Sequence, residues 1–174
     1  TVLTLMQIHS GRFKGQRIKT VKNISYRPTL SIVRKSLFDI LNPLQCNSFL
    51  DLFSGTGIIG FEAASRGVEN IIFVDKSIRA QALLRMNSNL FSGINFEFIR
   101  KDSLSFIGLN QKFDIIFADP PYDYPFLDNL IENAFLALND GGKFILESMK
   151  YQFSSNPKRQ KKFGDSYISF WENS

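Results

Sequence analysis

Apolar positions in this chain follow a helical period first and a strand–helix alternation afterwards. Leu30, Val33, Leu37, Phe38 and Leu41 recur on one helical face, with Arg34 and Lys35 turned outward. Thr29 is a candidate N-cap for that helix and Pro43 its stop. Short apolar runs at 48–53, 70–75, 94–100, 113–118, 143–147 and 167–171 read as strands. Between them, 57–66 reads as a helix ended by Gly67, a second helix runs to about Leu90, and 125–138 carries a helical stripe. Asp140-Gly141-Gly142 reads as a turn, and 154–165 as a polar connection. Residues 11–20 mix glycine, cations and an aromatic, which suits a β-hairpin or arm. Strand alternating with helix predicts an α/β fold, a parallel sheet with helices on both faces.

In such sheets ligands sit beyond the carboxyl ends of the strands. Asp51, Asp75, Asp102 and Asp119 all fall at or just past predicted strand ends, so they are expected to share one rim. At Asp119-Pro120-Pro121-Tyr122 an apolar strand stops at a carboxylate, two prolines and a ring. Proline fixes φ and cannot donate to a ladder, and a residue before proline is held extended. The rim is therefore stiff, and it offers a carboxylate, a carbonyl and a flat ring. That set suits a planar base held by its exocyclic amino group.

The segment 51–60 contains G-x-G-x-x-G, with Asp75 placed 20 residues after Gly55. Two readings compete: a dinucleotide fingerprint, or a loop for another ribose-bearing ligand. Asp51 separates them. A carboxylate at the strand exit repels a diphosphate and favours a ligand carrying an ammonium group, such as the methionine part of S-adenosylmethionine. The Asp-Pro-Pro-Tyr rim has no role in hydride transfer.

Composition narrows the partners. With 174 residues and 44% hydrophobic content, the chain suits one domain with a substantial core. No stretch approaches the roughly 18 apolar residues of a membrane span, and no basic-then-apolar leader is seen, so a cytoplasmic protein is expected. Cys46 and His9 are each alone in the sequence, which leaves neither a disulfide framework nor a metal cluster. The net charge of +5 is segregated: +7 over 1–48, −5 over 49–148 and +3 over 149–174. Basic ends around an acidic middle suit a catalytic body whose extensions meet a nucleic acid.

Asp51 to Gly60, Asp75 and Asp119 to Tyr122, in that order, resemble class I S-adenosylmethionine-dependent methyltransferases acting on amino groups. More narrowly, Ser10-Gly11-Arg12-Phe13-Lys14-Gly15-Gln16-Arg17-Ile18 and Arg27-Pro28-Thr29…Val33-Arg34…Leu37-Phe38…Leu41 resemble the bacterial RsmD family, as does the tail 161–171. Leu30 and Lys35 depart from that pattern where a Thr and a Glu are expected, as does Phe61 where Leu is usual.

The resemblance implies a Rossmann-like, mostly parallel seven-stranded sheet in one methyltransferase domain over 1–174. Within it, 1–48 is a basic extension of hairpin and helix, and 49–174 the catalytic core. It implies methylation of a guanine N2 in 16S rRNA, within the small ribosomal subunit, by a monomer. Asp51 and Phe53, Ser54, Gly55, Thr56 and Gly57 would hold the methionine moiety. Asp75 with Lys76 would bind the ribose, and Asp102 with Ser103 would lie by the adenine. Arg27 and Thr29 would close the site. Asp119, Pro120, Pro121 and Tyr122 would hold the target base. Arg12, Lys14, Arg17, Lys19, Arg34, Lys158, Arg159, Lys161 and Lys162 are the expected RNA contacts. For Asp102 a helix N-cap before 103–109 is an equal reading. A DNA adenine-N6 methyltransferase, a protein-glutamine methyltransferase and a non-catalytic RNA-binding module are the alternatives.

Overall fold

The computed structural model describes residues 3–21, 31–109 and 111–174. Strands β1 (Leu3–Gln7) and β2 (Arg17–Val21) form an antiparallel hairpin. The stretch 11–20 expected to form it holds most of β2 and part of the connection 8–16, while β1 lies before it. Helix α1 (Ser31–Ile40) follows. Then come β3 (Ser48–Leu52), α2 (Ile58–Ser65), β4 (Asn70–Val74), α3 (Ile78–Ser88), β5 (Asn95–Ile99) and α4 (Ser103–Ile107). The chain ends through β6 (Phe113–Ala118), α5 (Leu127–Leu136), β7 (Leu138–Ser148), β8 (Arg159–Phe163) and β9 (Ser166–Glu172).

Seven strands make one sheet in the order β5-β4-β3-β6-β7-β9-β8. The five from β5 to β7 are parallel; β9 and β8 are antiparallel. Two expectations need correction. The polar connection contains β8, a strand without apolar alternation that owes its ladder to β9. Asp140-Gly141-Gly142 is not a separate turn: it lies inside β7, as an irregularity in the pairing with β6.

Alternate residues of each strand feed two cores. Phe49, Phe73 and Phe117 face α1, α2, α3 and the hairpin, whereas Leu50, Val74 and Ile116 face α4 and α5. Every residue of α2 is buried. The hairpin and α1 cover its outer side, which explains an apolar helix with no solvent face. At Gly60 a Cβ would lie 2.3 Å from the Phe73 ring, so this helix needs glycine to reach the sheet. Cys46 is half-buried and its thiol is pushed up to about 11, chiefly by burial. Among the described residues no helix is long and apolar enough to cross a membrane, and no cluster fits a metal.

Candidate active site

Strand order reverses between β3 and β6, and their last residues Leu52 and Ala118 are paired. A crevice opens at such a switch point. The glycine loop leaves β3, and Asp119 leaves β6, so the two motifs sit side by side. Asp51, Asp75, Asp102 and Asp119 all lie at the carboxyl ends of parallel strands, as expected.

The glycine loop is fixed by its neighbours. Phe53 has φ of 55°, a left-handed conformation unusual for a side chain of that size. Its N–H donates to Ser103 Oγ at 3.1 Å. Ser54 donates through its hydroxyl to the Asp51 carbonyl, and its N–H to the Val74 carbonyl. Thr56 Oγ1 accepts from Ile58 N–H at the start of α2. The Asp75 carboxylate accepts Gly55 N–H at 2.9 Å and Ser77 N–H at 2.8 Å. Lys76 is exposed beside it.

Asp51 is buried beneath this loop, and its Oδ2 accepts Gly60 N–H at 3.0 Å. Burial pushes its carboxyl well above the usual range; the Gly60 bond opposes this and Asp75 adds to it. Among the described residues it has no ion-pair partner. Asp102 is exposed and caps α4, its Oδ1 accepting Ser105 N–H at 2.9 Å. The N-cap reading of that residue is thus realised.

Asp119 is half-buried, Pro120 buried, and Tyr122 65% exposed. A cleft of about 440 Å³ runs from Asp119 and Tyr122 past Tyr124 to Glu147, Lys150 and Ser166. Tyr124 and Glu147 escaped the sequence reading. Tyr124 packs its ring 5.2 Å from Phe53 and so joins the glycine loop to the cleft. Its position two residues beyond Tyr122 was the available signal. Glu147 is buried one residue past Leu146, the partner of Ala118. Only that strand pairing brings it beside Asp119.

The expected RNA contacts separate into three groups. Arg34 is not on the surface: it is 3% exposed, donates to the Gln7 carbonyl and pairs with buried Glu62. Arg12, Lys14, Arg17 and Lys19 are exposed on the hairpin. Arg12 N–H donates to Ser65, the last residue of α2, so the hairpin tip lies at the far edge of the sheet from Asp119. Arg159, Lys161 and Lys162 are exposed along β8 and Lys158 just before it; Lys158 pairs with Glu172 and Lys161 donates to Ser36 of α1. Arg27 and Thr29 lie outside the described residues.

Comparison with known proteins agrees with this geometry. The family model described as conserved hypothetical protein 95 matches residues 6–172. Ribosomal RNA small subunit methyltransferase D of Haemophilus influenzae is 32% identical over 135 residues, covering 74% of this chain and 68% of that protein. A hypothetical protein of Thermus thermophilus superposes with a TM-score of 0.82 at 26% identity, over 96% of this chain and 99% of its own. The T. thermophilus 16S rRNA N2 G1207 methyltransferase RsmC, solved with AdoMet and guanosine, shares the fold. Its TM-score is 0.74 at 18% identity, over 99% of this chain and 50% of that one.

Proposed function

The chain belongs to the RsmD family of methyltransferases, and from that we propose that it methylates the exocyclic N2 of a guanine in 16S rRNA, using S-adenosylmethionine. The target lies in the small ribosomal subunit. The observation that carries this reading is the placement of Asp119-Pro120-Pro121-Tyr122 directly beside the glycine loop, on paired strands at the switch point.

The residues fit the cofactor. Asp51 is a buried carboxylate with no cation paired to it among the described residues, an environment that an ammonium group neutralises. Asp75 keeps lone pairs for ribose hydroxyls after taking two backbone N–H groups, and Asp102 keeps its second oxygen for an adenine amino group. Phe53 to Gly57 supply the loop that lies along the ligand. When bound, S-adenosylmethionine supplies an electrophilic methyl group on its sulfonium.

The chain's own task is to make a poor nucleophile reactive. An exocyclic amino nitrogen delocalises its lone pair into the ring. Asp119 carboxylate and the Pro120 carbonyl accept its two hydrogens, which draws the nitrogen toward tetrahedral geometry with the lone pair free. Positioning of this kind supplies on the order of 7–11 kcal/mol of a reaction barrier. The alkylated nitrogen is acidic, so Asp119 need only receive a readily lost proton. Tyr122, being exposed, stacks on a base that has left its helix.

The test incubates small subunits lacking the modification with the protein and S-adenosylmethionine, then reads the digested nucleosides by mass spectrometry. New N2-methylguanosine in 16S rRNA is the expected result. Methylation of DNA or protein instead, or no transfer, overturns the assignment.

A further inference from the structure

We propose that Tyr151, Tyr167 and Lys162 form a second nucleotide platform beside the cleft, stacking a base next to the target and holding its phosphate. This rests on the RNA-methylating reading above and deepens it.

The Tyr151 and Tyr167 rings lie 5.2 Å apart, inclined by 34°. Lys162 places its Nζ 5.6 Å from the centre of the Tyr167 ring. Tyr151 is 52% exposed, yet its backbone is pinned. Gln160 Nε2 donates to the Tyr151 carbonyl at 3.1 Å and to Ser169 Oγ at 2.8 Å, tying it to β8 and β9.

Strand register sets the location. Ser148 pairs with Tyr167, and Tyr167 with Lys162, so the three form one row across β7, β9 and β8. Ser148 itself lines the cleft, along with Lys150 and Ser166, the residues next to Tyr151 and Tyr167. Two strand spacings, about 10 Å, separate the cleft wall from Lys162. That is within reach of a nucleotide adjoining the one bound at Asp119.

Charged residues on an edge strand also discourage sheet-to-sheet pairing, which accounts for lysines along β8. It does not account for an exposed tyrosine held in place by a glutamine at the mouth of the cleft. An exposed ring with a cation over its neighbour is what an unstacked base and its phosphate require. The occupant is thus a single-stranded stretch of the same RNA, drawn by the net +3 of residues 149–174.

The experiment uses the full chain and unmodified small subunits at saturating S-adenosylmethionine. Tyr151→Ala is expected to raise KM for subunits about tenfold with kcat and cofactor affinity unchanged, and Tyr151→Phe to restore KM. Lys162→Gln is expected to lower the slope of log KM against log salt by about 0.7, one phosphate contact on a single strand. Unchanged KM in a Tyr151→Ala protein of normal Tm overturns the platform, and so does a loss confined to kcat. Should that variant melt early, the exposed Lys162→Gln decides, since an unchanged salt slope overturns the proposal too. Failure of the parent reading looks different: the wild-type protein forms no N2-methylguanosine.

Discussion

The Asp75 carboxylate and the Gly55 N–H meet at 2.9 Å across a separation of 20 residues, binding the end of β4 to the glycine loop of β3. Its other oxygen takes the Ser77 N–H at 2.8 Å, at the start of α3. An asparagine here would set its own NH₂ against one of those donors. Unsatisfying one charge-assisted bond costs about 1–3 kcal/mol. Asp75→Asn is expected to weaken S-adenosylmethionine binding at least tenfold and lower Tm by several degrees. Titration calorimetry and thermal melting check this; normal affinity would remove Asp75 from the cofactor site.

Asp51 makes the opposite trade. Its folded-state carboxyl is raised, first by burial, so its contribution to stability is greatest in acid and is lost as pH rises through the folded value. Above that folded value the buried charge is a cost, which the ammonium group proposed to bind there would offset. Asp51→Asn keeps an acceptor for Gly60 N–H and removes that charge. The expected outcome is an unchanged or higher Tm without cofactor at pH 8, with cofactor affinity reduced at least tenfold. A variant that binds normally would show that Asp51 only caps α2.

Asp119 and Tyr122 are separable by their effects. Asp119→Ala is expected to abolish methyl transfer while cofactor affinity stays within about twofold, because the proposed reading sets this residue against the acceptor base and not the cofactor. Tyr122→Phe should retain most activity. Tyr122→Ala should lose roughly 5- to 150-fold in kcat/KM, matching about 1–3 kcal/mol of stacking. Single-turnover assays on unmodified subunits, paired with cofactor titration, distinguish these outcomes. Turnover in Asp119→Ala would sink the assignment of that carboxylate.

The rim was legible because its signals are local: a strand end, then an acid, then glycines or prolines. Arg34 was not. Nothing near it in sequence says that a charge beside Val33 faces inward, since its partner Glu62 lies on α2 within an apolar run. Strand β8 was hidden for a related reason: its Arg-Gln-Lys-Lys-Phe carries no alternation, and β9 alone makes it a strand. Tyr124 and Tyr151 belong to no motif and gain meaning from ring contacts made across the fold.

The junction of hairpin, α1 and α2 gives the last prediction. Fully buried Glu62 accepts His9 N–H at 2.8 Å, Ser10 N–H at 3.1 Å and Arg66 Nε at 3.0 Å, with Arg34 Nε 3.7 Å away. The His9 ring sits against Arg34 and bonds Ser31 Oγ. Burial, then Arg34, holds the His9 pKa below its ordinary 6.5. A lowered folded value means that stability is full above about 6.5 and declines as pH falls through the folded value. The protonated ring would face Arg34 and Arg66 with Glu62 alone, among the described residues, to answer three cations. Wild-type Tm is therefore expected to fall between pH 7 and 5 more steeply than that of His9→Gln. Glu62→Gln leaves Arg34 buried without its counter-charge, a loss of about 3–5 kcal/mol. At about 2–4 °C per kcal/mol for a domain of this size, its Tm should drop by roughly 10 °C at pH 7. Parallel pH curves for wild type and His9→Gln would show that the ring does not titrate against this junction.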